Sequence, residues 1–85
     1  MKIFTYTIKD AKGIHARPAA ILVREAKKFN STINITTNDK IGDLKRIFSV
    51  MSLGVTVGTT ITITLEGDDE EPGFLAIKNC LEINL

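Results

Sequence analysis

The chain has 85 residues, of which 44% are hydrophobic and 25% charged, and its formal net charge is +1. This length makes one domain, residues 1–85, with a single thin core and no room for a deep enzymatic cavity. The near-neutral charge argues against a general nucleic-acid or membrane-surface role, because both favour a basic face.

The cysteine and histidine counts exclude several kinds of site. One cysteine, Cys80, cannot form an internal disulfide, and one Cys with one His cannot build a tetrahedral zinc site or an iron–sulfur cluster. No run reaches the ~18 apolar residues of a membrane span, and the first eight residues lack the apolar core of a secretion signal. The composition therefore predicts a cytoplasmic protein without metal or cofactor, whose function involves partners.

The N-terminal stretch has the pattern of a strand followed by a helix. Residues 3–8 alternate and are rich in β-branched and aromatic side chains, which predicts a strand. Apolar side chains then recur at three- and four-residue spacing from Ala16 to about Phe29, which predicts an amphipathic helix. Pro18 fits the first turn of this helix, where its missing N–H costs nothing. Gly13 allows a turn of positive φ just before it.

The middle of the chain predicts two strands and a second helix. Residues 32–36 alternate as a strand, and a short third strand begins at residues 40–41. We expect this third strand to be broken at Gly42–Asp43. A helix is predicted over residues 44–53, with Gly54 as its C-terminal stop.

The last third predicts a strand and a final helix. Residues 60–65 alternate between aliphatic residues and threonines, as expected of a sheet covered on one face only. The acidic run 68–71 indicates a helix N-terminus, with Asp69 as N-cap and Pro72 in the first turn. The order β-α-β-β-α-β-α predicts an α+β fold, an open-faced two-layer sandwich with three helices on one face of a four-stranded antiparallel sheet.

Residues 13–20 hold the only histidine, at the predicted junction of loop and helix. An imidazole is a competent nucleophile at cytosolic pH. A phosphoryl group on His15 would need donors, and the first helical turn offers the free backbone N–H groups of Ala16 and Arg17. The Arg17 guanidinium can also fork onto phosphate oxygens. We therefore interpret this stretch as a site for a phosphoryl group on His15.

At these residues the chain resembles a known family. Gly13–Ala19 resembles the active-site signature of the HPr family, the histidine-containing phosphocarriers of the bacterial phosphoenolpyruvate:sugar phosphotransferase system. Residues 51–54 resemble the family's second signature, and the resemblance covers essentially the whole chain. It implies a carrier and not an enzyme. His15 would be phosphorylated on Nδ1 by enzyme I, and the group would pass to IIA domains of sugar permeases. We expect a monomer.

The resemblance also assigns partner contacts. Arg17 would attend the phosphate. Independently of the resemblance, we expect Arg24, Lys27 and Lys28 on a solvated helical face, with a secondary role in meeting acidic partners. Leu44 and Val50 are expected in the core. A docking patch beside the histidine would consist of four apolar residues, although the plainer alternative places them all in the core: Ile47, Phe48, Met51 and Leu53.

One position departs from the family pattern. In Gram-positive members a serine at this point is phosphorylated by a regulatory kinase, and here the residue is Arg46. An arginine cannot accept a phosphoryl group in that reaction. We therefore expect an auxiliary or specialised carrier outside serine control, with Ser49 and Ser52 as solvated or helix-bonded hydroxyls.

Two other function classes are alternatives to a carrier. A small non-enzymatic binding module of the α/β-sandwich type is one alternative, although the threonine-rich sheet face has no aromatic pair for stacking nucleic-acid bases. A hydrolase with His15 as base is the other. The sequence near His15 offers no second candidate catalytic partner, and the chain is too small for a deep pocket, which disfavours a hydrolase.

Overall fold

Seven elements follow one another in the computed structural model, which describes residues 1–85. Their order is the predicted one. The elements are β1 (Lys2–Thr7), α1 (Ala16–Ala26), β2 (Thr32–Thr37), β3 (Lys40–Asp43), α2 (Ile47–Met51), β4 (Thr60–Glu66) and α3 (Glu70–Asn84).

The sheet has four antiparallel strands in the order β1-β4-β2-β3. Ile63 of β4 pairs with Phe4 on one side and with Ile35 on the other, so this row faces the core. The next row, with Thr62 between Thr5 and Thr36, lies on the opposite face. Burial alternates along β2 and β4 accordingly, which confirms the predicted open-faced α+β sandwich.

The core is one cluster of 19 buried hydrophobic residues from both layers. Leu44 and Val50 belong to it, as predicted from the sequence. Leu53 also belongs to it, with 7% of its surface exposed. The helix α1 packs against both α2 and α3, so the first two helices lie side by side. No helix combines the length and the hydrophobicity that a membrane crossing requires.

Helix α1 is shorter than predicted, because it ends at Ala26 and not near Phe29. The N–H groups of Lys28 and Phe29 donate to carbonyls three residues back, which is a tighter turn than an α-helix. The Phe29 carbonyl accepts a hydrogen bond from the Lys45 ammonium at 2.6 Å. The Phe29 ring still packs against the core. The apolar residue at position 29 therefore continues the helical spacing of α1 although the helix has ended.

The prediction that β3 breaks at Gly42–Asp43 was wrong, since the strand runs through both residues. A Cβ at Gly42 would lie 3.1 Å from the Ser49 carbonyl oxygen, so the glycine allows α2 to pack closely on the strand. The Ser49 hydroxyl also accepts the Asp43 N–H at 2.8 Å. Gly42 therefore serves a close approach of two elements, not a break in one.

Helix α2 is half the predicted length, because residues 44–46 lie in a turn and the N-cap before it, and residues 52–53 form a turn after it. The Leu44 N–H donates to the Ile33 carbonyl of β2, and the Lys45 N–H donates to Asp43 Oδ1 at 2.9 Å. Both bonds satisfy donors that a longer helix would have left free. The predicted stop, Gly54, has a φ of 62°, but the helix ends three residues before it, at Met51, and the C-cap residue is Ser52.

Candidate functional site

His15 is the N-cap residue of α1, and its backbone is extended, with φ −94° and ψ −178°. Gly13 ahead of it has a φ of 65°, and a Cβ there would lie 2.8 Å from Thr56 Cα and overlap the Val55 carbonyl. The Ile14 N–H donates to that Val55 carbonyl at 3.1 Å. The loop before His15 is therefore pinned to the segment that follows α2, and its position requires glycine.

The first turn of α1 has backbone N–H donors that find no acceptor in the protein. The backbone N–H groups of Ala16 and Arg17 have no acceptor within the protein, and Pro18 has no N–H. No acidic residue stands in this turn, and no side chain caps it. The Arg17 side chain is exposed and forms no ion pair. Such a helix start is a ready anion site beside the imidazole, 35% of whose side chain is exposed.

Asp10 lies next to the imidazole, with its Oδ2 at 3.7 Å from His15 Nε2. The sequence offered no candidate partner for His15, and the structure places this carboxylate beside its ring. Residues 10–13 form a turn just before the histidine. They fold back because Asp10 Oδ1 accepts the Lys12 N–H at 2.8 Å and the Gly13 N–H donates to the Asp10 carbonyl at 2.9 Å. An aspartate whose side chain can accept the N–H two residues later is typical of a turn. This local signal could have predicted that the chain folds back at Asp10.

A concavity of about 250 Å³ surrounds the histidine, and only one of the residues that line it is hydrophobic. Asn84 at the end of α3 forms one wall, and its amide nitrogen donates to the Cys80 carbonyl at 2.9 Å. The polar lining suits a small charged group on the imidazole. The lining residues are Asp10, His15, Arg17, Pro18, Ile21 and Asn84.

The residues predicted for partner docking divide into two groups. Phe48 and Met51 of α2 are exposed, at 85% and 38%, and Ile47 is half-buried against the core. Leu53 is buried in the core, so the structure does not bring it to the surface with them. We call Ile47, Phe48 and Met51 the α2 patch. Arg24 on α1 is exposed and forms no ion pair, and the same is true of Arg46 at the start of α2.

The thiol of Cys80 packs in the core as predicted, and burial raises its pKa above the ordinary value. Nothing about it suggests a reactive group. The structure also contains no group of three or more His, Cys, Asp or Glu side chains arranged to hold a metal ion.

Comparison with known proteins gives consistent results. The family model described as the PTS HPr component phosphorylation site matches residues 3–82. The phosphocarrier protein HPr of Mycoplasma genitalium is 48% identical over 85 residues, which cover 99% of this chain and 97% of that protein. The crystal structure of HPr-C-His from Thermoanaerobacter tengcongensis is 42% identical, covers 99% of this chain and 94% of that one, and has a TM-score of 0.94.

A further structure, the HPr dimer from the same Thermoanaerobacter species, has a TM-score of 0.78 at 42% identity and covers 98% of this chain and 95% of that one. The matches extend over nearly the whole chain, and they include its loop, its helix start and its fold. The chain therefore belongs to the HPr family, the phosphocarrier proteins of the bacterial phosphotransferase system, which carry a phosphoryl group and are not enzymes.

Proposed function

We propose that this protein accepts a phosphoryl group on Nδ1 of His15 from enzyme I and passes it to IIA domains of sugar permeases. The observation that carries the proposal is the start of α1, where two unpaired N–H groups, those of Ala16 and Arg17, adjoin an accessible imidazole. A phosphoryl group brings nearly two negative charges at neutral pH, and the helix start supplies donors and partial positive charge. Because Nε2 faces Asp10, Nδ1 is the nitrogen left to react.

The transfer needs no cofactor. The lone pair of Nδ1 attacks the phosphorus atom, the N–P bond forms, and the bond to the donor breaks with its electron pair returning to the donor. The backbone N–H groups and the Arg17 guanidinium stabilise the phosphoryl oxygens. They belong to the carrier, so the same donors act when the group arrives and when it leaves.

The direct experiment is incubation with phosphoenolpyruvate and purified enzyme I. We expect a gain of one phosphoryl group that is labile in acid and stable in base, and its complete loss in His15→Ala. The chain has one histidine, so any phosphohistidine reports on His15. Absence of the gain in the unchanged protein, or its persistence in His15→Ala, would overturn the proposal.

The α2 patch is proposed as the surface that partners contact, with Arg17 and Arg24 meeting acidic groups around it. A carrier must release its partners, so we expect a small, transient interface. Phe48→Glu should raise the KM for enzyme I about tenfold and leave kcat and the fold unchanged, since hot-spot aromatic residues contribute most to such contacts.

Leu75→Glu is the matched control, because Leu75 is an exposed apolar residue on α3, 60% exposed. It should leave the KM unchanged. Equal effects of the two substitutions would remove the α2 patch from the mechanism.

We further propose that this is an auxiliary or specialised carrier outside serine control. Arg46 occupies the exposed N-cap position of α2, where a guanidinium cannot accept a phosphoryl group. The neighbouring hydroxyls are engaged, since Ser49 Oγ accepts the Asp43 N–H and Ser52 Oγ donates to the Ser49 carbonyl at 2.9 Å. An HPr kinase with ATP should leave this protein unmodified and should phosphorylate Arg46→Ser. Phosphoserine in the unchanged protein would contradict this.

Two properties complete the proposal, a monomeric state and a cytoplasmic location. The single thiol, Cys80, is buried, which agrees with a reducing compartment. Light scattering during gel filtration should give the monomer mass of 9.3 kDa at micromolar concentration. One similar structure is described as a dimer. A mass of twice this value would therefore contradict the monomeric state.

A further inference from the structure

We propose that Asp10 is a positioning residue for His15. Its carboxylate holds the imidazole with Nε2 towards it, and it stabilises the positive charge that the ring gains when Nδ1 takes a phosphoryl group. This inference deepens the proposed function and rests on it. It assigns a role to a loop residue outside the signature that carries the family resemblance, residues 13–19.

Asp10 is held in place by its own backbone and by one carboxylate oxygen. Its N–H donates to the Leu85 main-chain oxygen at 2.9 Å, and its carbonyl accepts the Gly13 N–H at 2.9 Å. Its Oδ1 accepts the Lys12 N–H at 2.8 Å. The other oxygen, Oδ2, has no hydrogen bond and faces His15 Nε2. The carboxylate is therefore fixed by the loop and has one free oxygen, which points at the ring.

The chemistry of Nδ1 phosphorylation gives this oxygen a function. A neutral imidazole that attacks through Nδ1 carries its proton on Nε2. When the N–P bond forms, the proton stays on Nε2 and the ring becomes positively charged, and when the group leaves the ring is neutral again. No proton has to move in either direction. The charge appears on the side of the ring that Asp10 faces.

The distance and the surroundings suit a charge interaction. At 3.7 Å the contact lies within ion-pair range and beyond a direct hydrogen bond. The two side chains are 32% and 35% exposed, so water screens them only in part. Arg17 on α1 is the cation that lines the same concavity, and the wall from α3 is the neutral Asn84. Asp10 is thus the only carboxylate in the lining.

The chain offers a matched control in Asp43. Its Oδ1 accepts the Lys45 N–H at 2.9 Å, which is the same turn that Asp10 makes with Lys12. Asp43 forms no contact with the imidazole. Asp10→Asn and Asp43→Asn each remove one carboxylate charge from the same kind of turn. Only the first removes it from the histidine.

The first measurement uses the unphosphorylated protein. The ¹⁵N signals of the single imidazole report the ratio of the Nε2–H to the Nδ1–H tautomer. We expect this ratio to fall about twofold in Asp10→Asn, in line with a partly exposed charge contact, and to stay unchanged in Asp43→Asn. A purely structural role of Asp10 in its turn would leave the ratio alike in the two variants.

The second measurement is the rate of phosphorylation by enzyme I. We expect kcat to fall about fivefold in Asp10→Asn relative to Asp43→Asn, with the KM for enzyme I unchanged. A KM effect without a kcat effect would instead make Asp10 a docking residue. Should Asp10→Asn fail to fold, Asp10→Ser keeps an acceptor for the Lys12 N–H and replaces it.

The outcomes separate the two proposals. If the unchanged protein is phosphorylated and the two Asp→Asn variants agree in tautomer ratio and in kcat, the role of Asp10 is refuted and the proposed function stands. If the unchanged protein is not phosphorylated, the proposed function fails and the charge-stabilising role fails with it. The tautomer ratio then still decides whether Asp10 orients the ring.

Discussion

The N-termini of α1 and α3 differ in the charged residues that surround them. At α3 the N-cap residue is Asp69, and Glu70 and Glu71 stand in the first turn. At α1 the N-cap residue is His15, and the first turn holds no acidic residue. Both ends present partial positive charge. At α3 the protein's own carboxylates lie beside this charge, and at α1 no carboxylate of the first turn does.

The carboxylates at the start of α3 are all engaged in structural contacts. Asp69 accepts hydrogen bonds from the Asn30 N–H at 2.7 Å, from the Ser31 N–H at 2.9 Å and from the Ser31 hydroxyl. Glu70 pairs with the N-terminal amine at 2.8 Å, and Glu71 pairs with the Lys2 ammonium at 2.6 Å. They join α3 to the loop before β2 and to β1. The start of α3 is thus a structural helix end, whereas the start of α1, which has no such contacts, is the proposed phosphoryl site.

The largest effect is expected when the start of α1 is given an acidic residue like those at the start of α3. Ala16→Glu puts a carboxylate in the first turn, where it takes up the free donors and repels a phosphoryl group. We expect the phosphorylation rate to fall about 100-fold, the order of effect for losing a preorganised anion site, and helix stability to rise slightly. Ala16→Gln has the same shape without the charge and should lose only a few-fold. Wild-type rates in Ala16→Glu would show that the helix start does not bind the phosphoryl group.

The converse change removes the acid at the other helix. Asp69→Ala leaves the N–H groups of Asn30 and Ser31 and the Ser31 hydroxyl without their acceptor. We expect the thermal unfolding midpoint to fall by roughly 5–10 °C, while the phosphorylation rate remains that of the wild type. Calorimetry and the enzyme I assay on the same preparation test both halves. A lost rate at unchanged stability would contradict the division of roles.

Acid should weaken the α3 end selectively. Hydrogen bonds from the Ser31 hydroxyl and the Asn30 backbone hold the pKa of Asp69 below its ordinary 3.8, and the bond from the N-terminal amine holds the pKa of Glu70 below its ordinary 4.5. For groups with a lowered folded pKa, the stabilisation is complete above these ordinary values. It is lost as pH falls below them, because the unfolded chain binds protons first. Urea midpoints measured from pH 7 to pH 3 should drop below about pH 4.5, and less steeply in Asp69→Asn.

The smallest effect is expected at the exposed ion pair of Lys2 and Glu71. The hydrogen bond from Lys2 to Glu71 and the charge of that carboxylate raise the Lys2 pKa. Exposed pairs nevertheless contribute little, since water screens them. Glu71→Gln should lower the unfolding midpoint by about 1 °C. A drop as large as that of Asp69→Ala would mean that the ion pairs, and not the hydrogen bonds of Asp69, hold this end together.

Local pattern was enough to predict most elements, and contacts between distant parts of the chain account for the errors. The alternation in β1, β2 and β4 placed those strands to within one or two residues. The end of α1 was misplaced because Phe29 packs on the core from a turn, and the Phe29 carbonyl bonds to Lys45 of a later loop. Gly42 was misinterpreted because its partner, Ser49, lies in another element. Periodicity carries no information about either contact.

The site was predicted where its residues adjoin in sequence and missed where they do not. His15, Ala16 and Arg17 are adjacent in sequence at a predicted helix start, and the structure places them at the N-cap and in the first turn of α1. Asp10 needed the fold of its turn, which depends on bonds to Lys12 and to the far end of the chain. Asp69 was predicted as an N-cap, and it holds that position, but its carboxylate bonds to the loop before β2 and not to its own helix.

The hydrogen bond from the Ile14 N–H to the Val55 carbonyl gives the molecule an internal reporter. Ile14 is 6% exposed, so its amide proton exchanges with deuterium only when the loop before His15 separates from the segment after α2. Its exchange rate therefore counts the openings of that junction. The same rate, followed in the free and the phosphorylated protein, would show whether phosphorylation of His15 changes how often this junction opens, without any measurement of the transfer itself.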